Sequence, residues 1–219
     1  MSARSSGVAR EAGREGVVLV HGLWTNRFVM SYLARHLARS GFKIHSLTYP
    51  SVRKELDENA ETLARVIEAA PEERLHIVGH SLGGVVTLAS LARHAPERVA
   101  RVVLLASPVS GCEVGRRLSA HRLMQPFLGA TAPLWRELRP LVVDPRYEIG
   151  TLAGTVPFGL GRLVAPVEGA NDGVVRVEEA RYAGARDHIE LSLAHSQVLV
   201  SPEAARQVVV FLKTGRFAR

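Results

Sequence analysis

The sequence is poor in cysteine and in long apolar runs. Its single cysteine, Cys112, excludes an intrachain disulfide and a cluster of thiolate metal ligands. Cys112 follows Ser110 and Gly111 in a loop without a strand-to-helix turn, so we interpret it as structural rather than nucleophilic. No apolar run approaches the roughly 20 residues that a membrane-spanning helix needs, and we expect no integral membrane segment. The polar, arginine-containing N-terminus has no apolar signal core, which favours a cytoplasmic protein.

Acidic residues are fewer than basic residues. The chain holds 21 Asp and Glu against 28 Lys and Arg, which gives a formal net charge of +7 at pH 7. The arginines are spread along the chain, and the densest group, Arg116, Arg117 and Arg122, has no aromatic residues between its members. A basic enzyme surface fits this pattern better than a nucleic-acid footprint, so we expect no nucleic-acid partner.

The length and composition indicate one folded domain. At 219 residues and 47% hydrophobic composition, the chain can build a full core and is shorter than the size at which cores divide. We expect a flexible N-terminal tail over 1–15 and a single domain over 16–219.

Short apolar runs alternate with amphipathic helical patterns along the chain. The expected strands are 16–20, 43–49, 74–78, 101–106, 151–156 and 187–193. The expected helices are 25–40, 52–70, 82–94 and 202–213. This alternation predicts βαβ units, and hence an α/β fold with a roughly six-stranded, mostly parallel sheet and helices on both faces.

The alternation is interrupted over about 107–150. This segment contains five prolines and only short apolar pieces. We interpret it as an irregular insertion with one or two short helices, forming a short cap above the strand ends. An ordinary long helix with loops is the alternative.

The segment 79–83, Gly-His-Ser-Leu-Gly, fits the G-x-S-x-G pattern of a nucleophile elbow. An expected strand precedes it and an apolar helix follows it, which is the context that this pattern requires. Such a turn strains the backbone at its tip, and the flanking chains pass too close to accept a Cβ at Gly79 or Gly83. Ser81 is therefore the predicted nucleophile. A glycine-rich helix start with a capping serine is the alternative.

A serine nucleophile needs a base within hydrogen-bond reach and an acid that orients the base. On a sheet of this kind the expected order is serine, acid, histidine, each after the carboxyl end of a strand. Of nine histidines, only His195 follows the last strand at that end, whereas His188 begins the strand. We therefore predict His195 as the base, against a surface or helix-capping role.

The predicted acid is Asp172, which lies in the turn-rich loop 169–175. Asp144 in the cap and Asp187 before the last strand are the rivals. Asp187 is close to His195 in sequence, but a strand length of about 20 Å would separate it from the active edge. An Asx-turn at Asp172 without a catalytic role is the alternative.

Stabilising an oxyanion requires two backbone N–H groups aimed at one point. Leu82, directly after the nucleophile, supplies one, and Leu23, in the loop after the first strand, is the predicted second donor.

We interpret His21 and His80 as structural residues. Residues that could line an acyl pocket, or else be plain core, are Trp24, Phe28, Leu123, Met124, Phe127 and Leu128. We expect no metal and no cofactor.

Four motifs occur in order along the chain: V-H-G-L-W, G-H-S-L-G-G, N-D-G-V-V and A-H-S. Together they resemble the α/β-hydrolase superfamily, and within it bacterial lipases and serine esterases, over about 17–211. The resemblance implies an α/β-hydrolase fold with Ser81, Asp172 and His195 as the triad and Leu23 and Leu82 as oxyanion donors. The family's full sheet has two more strands than we count, and the cap is short, so we expect a minimal hydrolase with an open cleft.

We therefore expect hydrolysis of a small-molecule acyl ester through an acyl-enzyme intermediate. A thioesterase, amidase or acyltransferase would use the same side chains and stays open, as does a non-catalytic binding protein on the same scaffold. Epoxide and haloalkane hydrolases are disfavoured because their elbow carries a carboxylate where Ser81 stands.

Overall fold

Six parallel strands form the centre of the fold. The computed structural model of the chain describes residues 15–158 and 167–219. The strands are β1 (Glu15–Val20), β2 (Lys43–Leu47), β3 (Arg74–His80), β4 (Val99–Leu105), β5 (Glu148–Gly154) and β6 (Asp187–Leu191). They form one sheet in the order β2-β1-β3-β4-β5-β6, and every neighbouring pair is parallel. The predicted six-stranded parallel sheet is confirmed. Of the predicted N-terminal tail, 1–14 lies outside the described residues, and Glu15 already belongs to β1.

Helices lie on both faces of the sheet, as predicted. In the described ranges the α-helices are α1 (Ser31–Arg39), α2 (Leu56–Ala69), α3 (Leu82–His94), α4 (Glu113–Ala120), α5 (Gln125–Leu128), α6 (Ala132–Glu137), α7 (Val177–Ala180) and α8 (Pro202–Thr214). Short 3₁₀ turns span Arg27–Met30, Gly129–Thr131 and Gln197–Leu199. None of the helices described is both long and apolar enough to cross a bilayer.

The apolar run in β1 shows why the sheet is buried on both sides. Val18 and Val20 belong to a core cluster shared with α2 and α3, whereas Val17 and Leu19 belong to a second cluster shared with α1 and α8. Alternate residues of a strand point to opposite faces, so a strand covered on both faces must be apolar throughout.

The strand order changes direction beside β1. The chain leaves β1 for β2 on one side and returns to β3 on the other side. In open parallel sheets the crevice for ligands forms outside the carboxyl ends of the strands at such a switch point. Ser81 follows β3 directly, so the fold positions it at this crevice.

Two predicted helices begin later than expected. The helix predicted from 25 is preceded by the 3₁₀ turn Arg27–Met30, because Asn26 Oδ1 accepts a hydrogen bond from Phe28 N at 2.9 Å and caps that turn. The helix predicted from 52 begins at Leu56, where the Glu58 carboxylate accepts the N–H of Glu55 at 3.3 Å. Local capping, which the apolar periodicity does not register, sets both starts.

The predicted bounds of β5 were also wrong. The strand runs from Glu148 to Gly154, rather than over 151–156. Gly150 lies within the strand, and the Phe211 ring packs against it, 2.6 Å from where a Cβ would be. Glycine inside a strand often marks such a close approach.

The segment between β4 and β5 contains three short α-helices and a 3₁₀ turn, more than the one or two helices predicted. Pro126 and Pro133 lie in the first turns of α5 and α6, where a missing N–H costs nothing, so these prolines begin helices rather than prevent them. The longest of the three helices has eight residues, which rules out the alternative of one long helix. Ala130 N donates to Val52 O at 2.9 Å, so the segment lies beside the loop after β2, at the carboxyl edge of the sheet.

Candidate active site

Ser81 lies at a strained turn between β3 and α3. Its backbone has φ 54° and ψ −125°, in the region that favours glycine. A Cβ at Gly79 would lie 2.7 Å from Gly84 Cα, and one at Gly83 would lie 2.2 Å from the carbonyl oxygen of Val20. The strand, sharp turn and helix that the motif requires are therefore present. The Ser81 side chain makes no capping hydrogen bond to α3, which argues against the capping alternative.

Asp172 and His195 meet at the carboxyl edge although they lie on different loops. His195 Nδ1 donates to Asp172 Oδ2 at 2.8 Å, and His195 N donates to the Asp172 carbonyl at 2.9 Å. The bond at Nδ1 leaves Nε2 as the unprotonated nitrogen of a neutral imidazole. Such a nitrogen can take up a proton, which is what a general base must do.

The other carboxylate oxygen of Asp172 is bound to its own loop. Oδ1 accepts the N–H groups of Val174 at 2.9 Å and Val175 at 2.7 Å, and the side chain is only 1% exposed. The Asx-turn that the sequence offered as an alternative therefore coexists with the bond to His195. The turn holds the carboxylate rigidly while its second oxygen faces the imidazole.

Gly154, at the end of β5, permits this arrangement. A Cβ there would lie 2.8 Å from Asp172 Cβ and 2.4 Å from the Leu193 carbonyl oxygen. The sequence interpretation missed this residue. The available signal was a glycine inside an apolar strand, which indicates a close backbone approach.

His80 joins the Ser81 turn to the His195 loop. Its Nε2 donates to the His195 carbonyl oxygen at 3.1 Å, and the two imidazole rings are 4.9 Å apart. Burial, together with the nearby His195, lowers the pKa of His80 to about 3, so its ring is neutral at pH 7. The sequence predicted a packing role, whereas the structure gives His80 a direct contact with the predicted base.

Ser81 and His195 therefore lie at the same edge of the sheet, linked through His80. Among the hydrogen bonds of the described residues, none joins the Ser81 hydroxyl to the His195 ring. In ligand-free sites such bonds are often long and tighten only when substrate is present.

The loop after β1 packs directly against Ser81. A Cβ at Gly22 would lie 3.1 Å from Ser81 Cβ, so the next residue, Leu23, begins beside the nucleophile. Leu82 is the first residue of α3, and its N–H has no acceptor one turn earlier in the helix. The two predicted oxyanion donors therefore come from neighbouring segments at the carboxyl edge.

His21 and Tyr49 hold this loop from behind. The Tyr49 hydroxyl donates to the His21 carbonyl oxygen at 2.7 Å, and the two rings stack with centroids 4.4 Å apart. His21 Nδ1 lies 2.9 Å from the Gly22 carbonyl oxygen, and burial lowers the pKa of His21. The structural role predicted for His21 agrees with these contacts. Tyr49 was missed, because a buried tyrosine after a strand carries no signal of its partner.

The rival residues have other roles. Asp187 accepts the N–H of Phe217 at 2.9 Å and pairs with Arg219 at 2.5 Å, at the amino edge of the sheet. His188 Nδ1 lies 2.6 Å from the Thr151 hydroxyl on the neighbouring strand. The exposed Asp144 accepts a local backbone N–H.

The residues predicted for an acyl pocket divide into two groups. Leu128 is buried in the core cluster and Met124 packs against that cluster. Four others are exposed at the carboxyl edge, namely Trp24, Phe28, Leu123 and Phe127. Trp24 Nε1 donates to the Phe127 carbonyl oxygen at 2.5 Å, which ties the loop after β1 to the helical segment after β4.

Cys112 stands at the start of α4. Its Sγ accepts the N–H of Gly115 at 3.3 Å, and burial raises the pKa of the thiol to about 12. A thiol that stays protonated is a poor nucleophile, in agreement with the structural role predicted for it. Within 15–158 and 167–219, no group of three or more His, Cys, Asp or Glu side chains is arranged to hold a metal ion.

The match to a known family accounts for this combination of sheet, elbow and loops. A family model for the alpha/beta hydrolase family matches residues 17–215. The chain belongs to the alpha/beta hydrolase family. This confirms the resemblance and the fold class inferred from the four motifs.

Curated relatives resemble this chain over part of its length. A probable esterase of Oryza sativa subspecies indica, PIR7A, is 33% identical over 117 residues, which cover 48% of this chain and 44% of the esterase. The dihydrolipoyllysine-residue acetyltransferase component of an acetoin cleaving system in Pseudomonas putida is 34% identical over 109 residues. These cover 44% of this chain and 29% of that component. The matched part thus spans less than half the length of either relative.

Solved structures resemble this chain over most of both lengths. The Bacillus licheniformis lipase BlEst2 superposes with a TM-score of 0.75 at 20% identity, covering 91% of each chain. An esterase from Exiguobacterium antarcticum superposes with a TM-score of 0.67 at 18% identity, covering 93% of each. At these identities the likeness establishes the shared fold.

Proposed function

We propose that this hydrolase cleaves carboxylic esters of small molecules through an acyl-enzyme formed on Ser81. The observation that carries the proposal is the bond between Asp172 and His195 beside a serine held in a strained elbow. Strain of this kind persists only where the surrounding structure enforces it, and it concentrates at functional sites. The esterase and lipase names of the similar proteins agree with the proposal.

The first half of the reaction forms the acyl-enzyme. His195 Nε2 takes the proton of the Ser81 hydroxyl, whose oxygen attacks the ester carbonyl carbon. The resulting oxyanion accepts hydrogen bonds from the N–H groups of Leu23 and Leu82, next to the positive end of α3. The imidazolium then gives its proton to the departing alcohol. Asp172 keeps Nδ1 protonated and stabilises the charged ring.

The second half releases the acid. Water gives a proton to His195 Nε2 and attacks the acyl carbon, and the imidazolium returns that proton to Ser81 as the acyl–oxygen bond breaks. Both halves use one base and one pair of donors, so a single geometry serves the full cycle.

The proposed reaction needs a place for the acyl group beside Ser81. We propose that the segment between β4 and β5 acts as a short cap, and that the acyl chain lies between it and the loop after β1. The hydrogen bond from Trp24 to Phe127 supports a cleft whose two sides are joined at this point. Since the cap helices are short and both of these side chains are exposed, we expect an open cleft.

Hydrolysis of nitrophenyl esters from acetate to palmitate tests the proposal. We expect turnover of at least one chain length, and a loss of about 10⁴-fold or more in Ser81→Ala, since removing a triad nucleophile has an effect of this size. Ser40→Ala, at the end of α1, is the matched control and should retain full turnover. Unchanged turnover in Ser81→Ala would refute the mechanism.

A parallel panel of acyl thioesters of matched length separates the reactions that share this triad. Faster cleavage of thioesters than of the matched esters would indicate a thioesterase. Product formation only with an added alcohol or amine acceptor would indicate an acyltransferase. Absence of turnover on every substrate would favour the binding-protein alternative.

A further inference from the structure

The exposed apolar residues of this hydrolase concentrate at the edge that carries the candidate active site. In the described part of the chain, seven large apolar side chains are exposed. Six of them, 54–77% exposed, lie in the loops and short helices after the carboxyl ends of strands: Trp24, Phe28, Leu123, Phe127, Phe158 and Val200. The seventh, Val142, lies after α6, six residues before the amino end of β5. We call the first six the apolar rim. Exposed apolar residues scattered singly are normal, but their collection at one edge indicates a contact surface.

One hydrogen bond joins two members of the rim, and the others lie in loops next to the site. The Trp24 indole N–H donates to the Phe127 carbonyl oxygen at 2.5 Å, so the loop after β1 and helix α5 form one surface. Phe28 lies in the 3₁₀ turn that continues the same loop. The Phe158 backbone lies against Gly173, next to Asp172, and Val200 ends the turn after His195. The rim therefore surrounds the site on several sides.

The chain segments that carry most of the rim are positively charged. Residues 16–54 contain four arginines and two lysines and no acidic residue, although Lys54 pairs with Glu58. Residues 114–136 contain four arginines and no acidic residue, and two of these arginines, Arg116 and Arg117, pair with Glu113. Arg27 lies with its guanidinium 5.1 Å from the centre of the exposed Phe28 ring. Arg122 is exposed and precedes Leu123. In the described ranges neither arginine forms an ion pair, so both are available to an external anion.

We propose that the apolar rim is a docking surface for an anionic lipid surface. Tryptophan, phenylalanine and leucine insert at the boundary between headgroups and acyl chains, while arginine binds lipid phosphate. A second copy of this chain would bring the same positive segments against each other, which disfavours self-association through the rim. Docking would place the candidate site next to the lipid surface. The inference does not require that the proposed ester hydrolysis is correct.

Binding to vesicles tests the proposal independently of catalysis. We would measure co-sedimentation of Ser81→Ala protein with vesicles of phosphatidylcholine alone and of an equal mixture with phosphatidylglycerol. We expect binding to the mixed vesicles that weakens at high salt, and little binding to neutral ones. Removal of one surface charge, in Arg27→Gln or Arg122→Gln, should weaken binding by about fivefold. Leu123→Ser should weaken it by a similar factor or more, because it removes an inserting side chain.

Matched variants lie away from the rim. Lys43→Gln removes an exposed charge at the amino end of β2, and Val142→Ser removes the seventh exposed apolar side chain, between α6 and β5. Both should bind the mixed vesicles as the parent does. Binding that responds equally to these controls would overturn the rim as the docking surface.

The two tryptophans give a direct readout of the docked surface. Trp24 is exposed, whereas Trp135 is buried and donates to the Thr131 hydroxyl at 3.1 Å. On binding to mixed vesicles, emission should shift to shorter wavelength and be quenched by brominated lipid, and Trp24→Phe should remove both effects. Failure to bind either vesicle would overturn the proposal. So would a dimer in sedimentation analysis that Leu123→Ser dissociates, since the rim would then be an interface between copies.

Discussion

The two edges of the sheet are built differently. Four non-glycine residues of the described ranges have positive φ: Trp24, Ser81 and Ala106 follow strands at the carboxyl edge, and Ala95 ends α3 before β4. The amino edge instead carries ion pairs: Glu148 contacts Arg101 at 2.5 Å and also Arg186, and Asp187 contacts Arg219. Three of these four strained residues and six of the seven exposed large apolar side chains follow the carboxyl ends of strands, whereas Glu148 and Asp187, at the amino ends of β5 and β6, are held in ion pairs. We therefore expect substitutions at the amino edge to change stability and substitutions at the carboxyl edge to change the proposed chemistry.

The largest difference in turnover is expected between variants of two buried aspartates at opposite edges of the sheet. Asp172→Asn removes the carboxylate that orients His195, and we expect ester turnover to fall about 10⁴-fold. Asp187→Asn weakens the bonds to Phe217 and Arg219, and we expect about 1–3 kcal/mol of lost unfolding free energy with turnover retained. Turnover and urea unfolding of both variants check the pair. Equal losses of activity in the two variants would remove the distinction between the edges.

Two glycines of β5 allow the same comparison of activity with stability within one strand. Gly154→Ala would push a methyl group against Asp172 and the Leu193 carbonyl, so we expect turnover to fall by about 100-fold as the acid is displaced. Gly150→Ala meets the Phe211 ring in the core, and we expect about 1–3 kcal/mol of destabilisation from overpacking. Kinetics and thermal unfolding of both variants distinguish the outcomes. A Gly154→Ala enzyme with full turnover would contradict the close approach at the acid loop.

The pH dependence of stability should reveal two buried histidines. Burial lowers the pKa of both His76 and His80 to about 3 in the folded protein, whereas the unfolded chain has the ordinary value of 6.5. Between these values the unfolded state binds more protons, so the contribution to stability is present above pH 6.5 and is lost as pH falls. At about pH 4.5 the expected loss is of the order of 2–3 kcal/mol for each histidine.

Urea unfolding of the parent and of His76→Leu at neutral and acidic pH measures this effect. His76 lies in the middle of the sheet, 0% exposed, away from the candidate site. The variant should lose less stability on acidification than the parent, because the contribution of His76 is then absent. An identical acid dependence in both proteins would contradict the assignment to His76.

The smallest effect concerns the loop that carries Leu23. Tyr49→Phe removes the hydroxyl that donates to the His21 carbonyl oxygen. We expect a loss of about 1 kcal/mol in stability and a severalfold fall in kcat, with KM little changed, because the loop would hold the oxyanion donor less firmly. Tyr32→Phe, on α1, is a matched control without a hydroxyl contact to this loop. A Tyr49→Phe enzyme with parental kcat would show that the ring stacking alone fixes the loop.

The sequence predicted the fold well where one physical signal dominates. Apolar runs without polar gaps identify strands covered on both faces, and the G-x-S-x-G motif locates the turn after β3. Element ends were less accurate, because Asn26 and Glu58 set helix starts through single hydrogen bonds. The helices after β4 were underestimated because proline was treated as a helix breaker, although Pro126 and Pro133 occupy first turns.

The candidate site likewise contains residues that the sequence could predict and residues that it could not. Ser81, Asp172 and His195 could be predicted because each lies in a recognisable motif at a strand end, and the structure joins Asp172 to His195. Gly154, Tyr49 and the contact of His80 with His195 were not found, since each depends on which loops meet in space. A sequence without its fold shows the chemical groups but not the neighbours that fix their positions.

Covalent labelling of Ser81 is the most direct test of the proposed mechanism. The intact protein would be treated with a fluorophosphonate, and the labelled peptide identified by mass spectrometry in the parent, in Ser81→Ala and in His195→Ala. The account predicts one adduct per chain, located on Ser81, absent from Ser81→Ala and formed much more slowly in His195→Ala. An adduct on another serine, or labelling of Ser81 at the same rate without His195, would contradict it.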